Sequence, residues 1–312
     1  MPGIECPSRP FLAFGDYLTA RFGCKVYRVA LDAGFSCPNR DGTIGTEGCI
    51  YCRTDSFAPV RRGSPLPVRE QMLAGMERVR RRYGARKFLA YFQPFTNTYA
   101  DVTTLRQRYD AALVSPEVVG LCIGTRPDCV PDATLDLVAE YARRLEVWLE
   151  YGLQSANDVT LARINRGHSF ATFADAVVRT RRRGIKVCAH VILGLPGETR
   201  EDVLRTADAL GQLGVEGVKM HHLHVVRGTP LEAMWKGGEV RLLTAEEYAP
   251  LAVDFLERIP ASVVVHRLVG ECRRELLLSP IWTESKREVT RRIKEEFARR
   301  GTRQGAAYPT LR

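Results

Sequence analysis

Three cysteines that fall within sixteen residues, Cys37, Cys49 and Cys52, are the strongest chemical signal in the chain. Thiolates are soft ligands that suit zinc or iron–sulfur clusters, and the short spacing from Cys49 to Cys52 lets two sulfurs reach one metal centre. Four thiolates would close an iron–sulfur cluster, whereas three leave one iron free to bind another molecule. The loop therefore predicts either a three-cysteine cluster or a structural zinc site.

The spacing of the ligands favours the cluster. Structural zinc sites use four protein ligands, commonly in two closely spaced pairs, and this chain has no second close pair. Cys24 precedes the first predicted strand and is expected at the opposite end of the sheet from the loop. A metal-stapled RNA-binding protein without catalytic activity is the alternative from another functional class.

Composition indicates a globular protein without membrane segments. Of the 312 residues, 45% are hydrophobic, which is ordinary for a chain with a substantial core. No apolar run is long enough to span a bilayer, and the N-terminus lacks the pattern of a signal peptide. Nine clustered cysteines are an odd number and do not resemble a secreted disulfide framework. We therefore expect a cytoplasmic protein without membrane contact.

The net charge of +10 favours a polyanionic partner such as nucleic acid. Basic runs occur at 78–87, 179–183 and 286–303. Each run taken alone is equally compatible with a solvated helix face. Together they could contact an RNA backbone through its phosphates.

Short apolar strands alternate with amphipathic helices over most of the chain. We predict strands at 28–33, 88–92, 118–123, 147–151, 186–193 and 217–223. This alternation is typical of parallel βαβ units in an α/β fold, which can form a barrel or an open sheet. Polar, glycine-rich sequence follows nearly every strand, where such folds place their chemistry. The cysteine loop follows the first strand and belongs to this face.

The pattern changes at about residue 230. We expect a core with its N-terminal lead-in over 1–230 and a C-terminal extension over 231–312. The extension contains a possible added strand at 263–267 and a basic helix at 284–300. The tail over 304–312 is expected to be loosely attached.

A three-cysteine loop after the first strand of an α/β barrel resembles the radical S-adenosylmethionine (SAM) superfamily. The long gap between Cys37 and Cys49 resembles its Elp3-like branch. The segments Cys37-Pro-Asn-Arg-Asp-Gly42, Gln93-Pro-Phe-Thr-Asn-Thr98 and Gly194-Leu-Pro196 resemble the YhcC/YtqA (MnmL-like) family. The resemblance implies a partial (βα)6 TIM-type barrel with a small, mostly helical extension. It also implies a [4Fe–4S] cluster on the three cysteines, completed by S-adenosylmethionine.

The resemblance further implies which residues bind S-adenosylmethionine. These candidates follow several strands: Gln93, Thr98, Glu150, Gln154, Arg166, Gly194, Leu195 and Pro196. Arg166 matches the arginine that binds the methionine carboxylate, a task that suits a guanidinium. Gln93 and Thr98 stand where the superfamily has Gly-Gly-Glu for the methionine amine, although this loop could also cap the next helix. The turn at 194–196 would lie beside the adenine.

Glu150 is a carboxylate within an apolar strand, which is costly unless the charge is paired or hydrogen-bonded. The resemblance places it, with Gln154, at the ribose hydroxyls. An internal ion pair is the alternative.

Three histidines lie close together in the sequence, His221, His222 and His224, and could form a metal site. Strand alternation predicts His222 and His224 on one face and His221 on the other, so that all three cannot bind one ion. His221 and His224 match the family pattern, and we predict that they line the reaction cavity as catalytic candidates. Simple packing and hydrogen bonding are the alternative.

The implied activity is formation of a 5′-deoxyadenosyl radical that abstracts hydrogen from a substrate carbon. The resemblance and the basic charge together suggest tRNA as the substrate. The reaction would convert the carboxymethylaminomethyl group at C5 of the wobble uridine to aminomethyl. Another RNA base or a small metabolite is the alternative substrate. An electron donor such as flavodoxin or ferredoxin is also implied.

Overall fold

A computed structural model of the chain describes residues 9–56 and 66–309. Residues 1–8 of the predicted lead-in and 310–312 of the predicted tail lie outside the described residues. The strands are β1 (Val26–Leu31), β2 (Lys87–Phe92), β3 (Val118–Thr125), β4 (Glu146–Gln154), β5 (Lys186–Leu193), β6 (Gly217–His222), β7 (Val225–Val226), β8 (Val264–Arg267) and β9 (Leu277–Ser279).

Ten α-helices are found in the described ranges. They are α1 (Phe14–Phe22), α2 (Val68–Tyr83), α3 (Val102–Ala112), α4 (Asp132–Ala142), α5 (Asp158–Arg163), α6 (Phe170–Arg182), α7 (Arg200–Leu213), α8 (Pro230–Lys236), α9 (Ala245–Glu257) and α10 (Lys286–Arg300). The start of α7 shows how local sequence sets these bounds. Thr199 accepts a hydrogen bond from the backbone N–H of Asp202, whose carboxylate accepts one from the backbone of Thr199. This capping box satisfies donors that a helix start leaves free.

Seven of the strands form one parallel, curled half-barrel in the order β1-β2-β3-β4-β5-β6-β8. The predicted α/β fold and partial barrel are confirmed, and each of the six predicted strands is present within a few residues of its expected bounds. The possible strand at 263–267 is β8, which pairs with β6 as a seventh parallel strand. The short strands β7 and β9 form a separate antiparallel pair.

The two faces of the sheet are buried against different partners. Outward side chains such as Phe88 and Leu149 are fully buried in the main apolar cluster, together with residues of the surrounding helices. At the amino-terminal end of the lumen, Trp148 packs against Phe14 of α1 in a second cluster. Helix α1 therefore closes the half-barrel at the amino-terminal ends of its strands. The half-barrel is open at the carboxyl ends of the strands.

The C-terminal region is packed onto the sheet. Helix α10 lies on α9, and its buried Phe297 contacts Phe11 in the N-terminal segment. The expectation of a loose tail was wrong for residues 304–309. Gln304 is buried because its side chain accepts from the backbone N–H of Leu12 at 2.9 Å and donates to the carbonyl oxygen of Val263 at 2.7 Å. The predicted domain boundary at 230 stays a prediction.

Across the described ranges, no helix combines the length and apolar character that crossing a bilayer requires.

Candidate functional site

A cavity of about 220 Å³ opens at the carboxyl ends of the strands. Cys37, Cys49 and Cys52 all line it, so the structure brings the three predicted ligands together. Cys49 is buried and the other two thiols are half-buried. The loop places them there because it leaves the end of β1 and folds back over the opening.

Several hydrogen bonds fasten the cysteine loop to the segment between α5 and α6. The backbone N–H of Ile50 donates to the carbonyl oxygen of Ile164 at 3.1 Å. Asn39 donates from Nδ2 to the carbonyl oxygen of Asn165 at 2.7 Å and lies 3.7 Å from the sulfur of Cys49. On the other side of that sulfur, Nη1 of Arg166 approaches to 3.6 Å. Two side-chain N–H donors therefore lie within 3.7 Å of one cysteine sulfur.

The donor set fits an iron–sulfur cluster. Within the described chain, no three His, Cys, Asp or Glu side chains gather closely enough to hold a single metal ion. A [4Fe–4S] cluster distributes its thiolates over separate irons, so they need not converge on one point. Burial and the neighbouring Cys49 thiol raise the pKa of Cys52 to about 11, so a metal must displace the proton when it binds. Arg166 supplies positive charge beside the thiolates.

The guanidinium of Arg166 is held in the cavity wall by the end of β4. Its Nε and Nη2 donate to the carbonyl oxygen of Gly152 at 3.0 and 2.6 Å. A Cβ atom at Gly152 would lie 2.7 Å from Nη2 of Arg166 and 2.7 Å from Nε2 of Gln154. A side chain at this position would therefore displace the predicted carboxylate-binding arginine and the amide of Gln154.

Gln93 and Gln154 also line the cavity, each directly at the end of a strand. Gln154 has a φ of 79°, and the neighbouring wall residue Phe95 has a φ of 64°. These left-handed conformations cost on the order of 1–3 kcal/mol in residues other than glycine, and such strain is concentrated at functional surfaces. The backbone thus presents Gln154 and Phe95 at the cavity wall at some energetic cost.

Four predicted cofactor contacts are not brought to the cavity: Thr98, Gly194, Leu195 and Pro196. The hydroxyl of Thr98 is buried, 2.5 Å from the hydroxyl of Thr125, and donates to the carbonyl oxygen of Cys129 at 2.6 Å. Leu195 is buried in an apolar cluster with Ile50 of the cysteine loop. In the structure these residues support the walls of the site, because their contacts are made within the protein.

Glu150 lies on the cavity floor with both carboxylate oxygens engaged. Oε2 accepts from Nζ of Lys219 at 2.7 Å and from Nε2 of His190 at 2.8 Å, and Oε1 accepts from Nη1 of Arg28 at 3.3 Å. Although burial alone would raise it, Lys219 and His190 hold the pKa of Glu150 well below its usual range. These contacts form the internal ion pair that the sequence left open as an alternative to ribose binding.

Sequence reasoning missed Lys219 and Arg267, which both line the cavity floor. A usable signal was present, since each is a cation within an apolar strand and such a charge is costly unless it is compensated. Burial lowers the pKa of Lys219 to about 8, despite the opposing effect of Glu150.

His221, His222 and His224 all line the cavity, so the prediction that His221 lies on the face opposite to the other two was wrong. A Cβ at Gly270 would lie 3.4 Å from Nδ1 of His221 and 3.3 Å from Cε1 of His224, so both rings approach the same residue. Strand alternation fails because β6 ends at His222. His222 packs against Trp282 and lies 2.6 Å from the hydroxyl of Thr283. Burial lowers the pKa of His224 to about 4, which leaves its ring neutral.

Comparison with known proteins identifies relatives along most of the chain. Residues 41–210 match the radical SAM superfamily, and residues 215–299 match the radical SAM C-terminal domain. Protein YhcC of Escherichia coli K12 is 45% identical over 274 residues, which cover 88% of this chain and 87% of that protein. YtqA of Bacillus subtilis is 39% identical over 295 residues, which cover 95% of this chain and 92% of that protein.

More distant relatives share only part of their length with this chain. The tRNA uridine(34) acetyltransferase of Dehalococcoides mccartyi is 30% identical over 184 residues, which cover 57% of this chain and 38% of that protein. The structure of the archaeal Methanocaldococcus infernus Elp3 matches with a TM-score of 0.62 at 19% identity, covering 89% of this chain and 64% of that one. This chain spans less than two thirds of either protein, and the second match shows a shared fold alone. From the superfamily match and the two long alignments, the chain belongs to the radical SAM superfamily of enzymes and, within it, to the family of YhcC and YtqA.

Proposed function

We propose that this enzyme modifies the wobble uridine of tRNA, converting a carboxymethylaminomethyl group at C5 to aminomethyl. The observation that carries the enzymatic part is the shared cavity, where three cysteines, Arg166 and Gln154 meet at the carboxyl ends of the strands. The tRNA substrate is supported by the net charge of +10 and by the similarity to a tRNA uridine(34) acetyltransferase.

The residues at the opening have distinct roles in this proposal. Cys37, Cys49 and Cys52 hold a [4Fe–4S] cluster whose fourth position takes S-adenosylmethionine. When bound, the two cofactors would supply a 5′-deoxyadenosyl radical able to abstract hydrogen from the methylene carbon between the amine and the carboxylate. With S-adenosylmethionine consumed as a two-electron oxidant, which yields methionine and 5′-deoxyadenosine, the substrate would become an imine. Water would hydrolyse this imine, so that the carboxymethyl carbons leave as glyoxylate. Arg166 binds the methionine carboxylate and Gln93 receives the methionine amine.

Deeper residues shape the space for the substrate. Gln154 contacts the ribose of the cofactor, while the rings of His221 and His224 form the substrate side of the cavity. The buried floor around Glu150 keeps bulk water away from that side. Exclusion of water protects a reactive species from side reactions. An electron donor such as flavodoxin or ferredoxin reduces the cluster from outside the cavity.

The basic runs contribute less to RNA binding than their composition indicates. Arg179 pairs with Asp175 and Asp132, and Arg299 pairs with Glu296 within α10. Trp282, an aromatic residue near the last run, packs on His222 inside the protein. Cations that are already paired offer less to a phosphate. The overall charge therefore supports the tRNA proposal better than any one run does.

Nucleoside analysis of tRNA from cells with and without the gene tests the substrate. We expect loss of the gene to accumulate 5-carboxymethylaminomethyluridine and to deplete nucleosides built on the aminomethyl group. The wild-type gene restores the profile, and a gene encoding Cys52→Ala does not. An unchanged wobble-uridine profile would contradict the proposal and direct attention to another RNA base or a small metabolite.

A further inference from the structure

Positive charge exceeds negative charge on the cavity floor. Lys219 and Arg267 line it with the buried Glu150 and the exposed Glu271, and Arg28 reaches Glu150 from β1. Glu150 is paired with Lys219 at 2.7 Å and with Arg28 at 3.3 Å. Among the described residues, no carboxylate lies within 4.0 Å of the guanidinium of Arg267, and its Nε is buried without a hydrogen-bond partner. Within the part of the chain that the structure describes, Arg267 therefore lacks a counter-charge at ion-pair distance.

The groups around Arg267 do not supply that counter-charge. Its Nη2 donates to the ring of His221, 2.8 Å from Nδ1. Burial and the cation itself hold the pKa of His221 well below its usual range, so the ring is neutral. Burial also lowers the pKa of His190 to about 3 and that of His266 to about 4. Glu271, on the loop after β8, also lines the cavity, and its charge opposes the lowering of the Arg267 pKa by burial. Its carboxylate is exposed, however, and makes its ion pair with Lys286 and not with Arg267.

The remaining polar groups that face this floor are neutral as well. Burial raises the pKa of the Tyr91 hydroxyl and of the Cys122 and Cys188 thiols, so all three keep their protons. Nζ of Lys219 lies 2.5 Å from the hydroxyl of Tyr91, which is a second polar contact for this cation. An uncompensated cation in such surroundings is costly, and a bound anion would remove the cost.

We propose that the floor of the cavity is a carboxylate subsite in which Arg267, with Lys219 behind it, binds the carboxylate of the carboxymethyl group to be removed. This inference rests on the proposed function and deepens it, because it assigns the selection of the wobble side chain to a particular charge. A guanidinium is well suited to the task, since it binds carboxylates in a planar, directional way.

The carboxylate of S-adenosylmethionine is the other carboxylate that enters this cavity. Arg166 contacts the sulfur of Cys49 and the carbonyl oxygen of Gly152, whereas Arg267 contacts His221. The two guanidiniums therefore serve different parts of the cavity. Arg166 stands beside the cluster ligands, and Arg267 stands beside the histidines on the substrate side.

Selectivity between an acid and its neutral amide tests the subsite. Reconstituted full-length enzyme is given tRNA carrying the carboxymethylaminomethyl group, or the same tRNA carrying the corresponding carbamoylmethyl amide. We expect the wild type to favour the acid in kcat/KM by on the order of 10- to 100-fold, the worth of a charged hydrogen bond. We expect Arg267→Gln to lose this preference because its kcat/KM falls for the acid substrate and not for the amide. Arg267→Lys should retain part of the preference.

Two controls separate recognition from structural damage. Arg258→Gln removes a surface arginine that pairs with Asp208 and leaves the preference intact. The KM for S-adenosylmethionine stays constant across all variants. If Arg267→Gln keeps the acid preference, or raises the KM for S-adenosylmethionine instead, the assignment is overturned. If Arg267→Gln does not fold, the test uses Arg267→Lys. A reduced preference of Arg267→Lys for the acid supports the carboxylate subsite, and a preference equal to that of the wild type overturns it.

Binding without turnover separates the subsite from the proposed reaction. Thermal unfolding of wild type and Arg267→Gln is followed with the nucleoside 5-carboxymethylaminomethyluridine and with its amide. Stabilisation of the wild type by the acid alone supports the subsite, even if no aminomethyl product forms and the proposed reaction fails. Turnover of acid and amide at equal rates overturns the subsite while the reaction stands. Absence of both stabilisation and acid preference in the wild type also overturns it.

Discussion

The Nζ atom of Lys219 on β6 lies 2.7 Å from Oε2 of Glu150 on β4, although β5 separates the two strands. Neighbouring strands lie about 4.8 Å apart, so the two backbones are about 10 Å from each other. The flexible stem of the lysine bridges this gap because both side chains point into the lumen of the curled sheet. His190 on β5 donates to the same oxygen at 2.8 Å. Three adjacent strands thus share one buried charge layer beneath the cavity.

Removal of the Glu150 carboxylate should destabilise the fold. Glu150→Gln leaves the buried Lys219 and Arg28 without their counter-charge, and we expect the free energy of unfolding to fall by about 3–5 kcal/mol. Urea unfolding of the full chain measures this value. Glu140→Gln, on an exposed carboxylate that pairs with Arg106, is the matched control and should change little. If both variants lose the same free energy of unfolding, the buried ion pair contributes no more to stability than the exposed one.

Cys52→Ala should abolish cleavage of S-adenosylmethionine. Removal of one of three ligands leaves the cluster with too few thiolates, so we expect loss of bound iron and of 5′-deoxyadenosine after anaerobic reconstitution. Cys272→Ala is the control, because this half-buried thiol does not line the cavity. Equal amounts of 5′-deoxyadenosine from wild type and Cys52→Ala would contradict the cluster assignment. Tightly bound zinc without any cleavage would instead support the RNA-binding alternative.

Gly152→Ala should weaken binding of S-adenosylmethionine. The added methyl group would meet Nη2 of Arg166 at 2.7 Å and push the guanidinium out of place. We expect the KM for S-adenosylmethionine to rise on the order of 10-fold, as for the loss of one charged hydrogen bond. Gly15→Ala in α1, where an added Cβ meets nothing within 4 Å, serves as the control. An unchanged KM in Gly152→Ala would argue against a role of Arg166 in cofactor binding.

Glu198 should make stability depend on pH in the acidic range. Burial raises the pKa of this carboxyl from 4.5 to about 7, although the hydroxyl of Ser155 donates to it. Between these values the folded chain holds a proton that the unfolded chain has released, so this contribution to stability is present below pH 4.5 and is lost as pH rises through 7.

Unfolding of wild type and Glu198→Gln between pH 4.5 and 8 tests this expectation. Both chains are prepared without metal, because thiolate–iron bonds also respond to acid. We expect the wild type to lose stability relative to Glu198→Gln as the pH rises, since the amide does not ionise. Parallel pH profiles would show that Glu198 ionises normally in the folded chain.

Local patterns in the sequence were sufficient to predict most strands and the grouping of the three cysteines. Strand β5 was predicted with its observed bounds, because apolar patterning acts over a few residues. The cysteine loop was also predictable, since Cys49 and Cys52 are close in the chain wherever the loop folds. Its position at the carboxyl end of β1 follows from the rule for parallel sheets.

The tertiary structure alone decided which side chains meet in the lumen. The contacts of Glu150, Lys219 and Arg267 depend on the curl of the sheet and on the pairing of β8 with β6. The same limit explains His221 and His224, whose shared position near Gly270 arises where β6 ends. The sequence by itself therefore determined the group of three cysteines and the barrel, and only the three-dimensional packing revealed that Arg267 lies on the cavity floor with no carboxylate of the described residues at ion-pair distance.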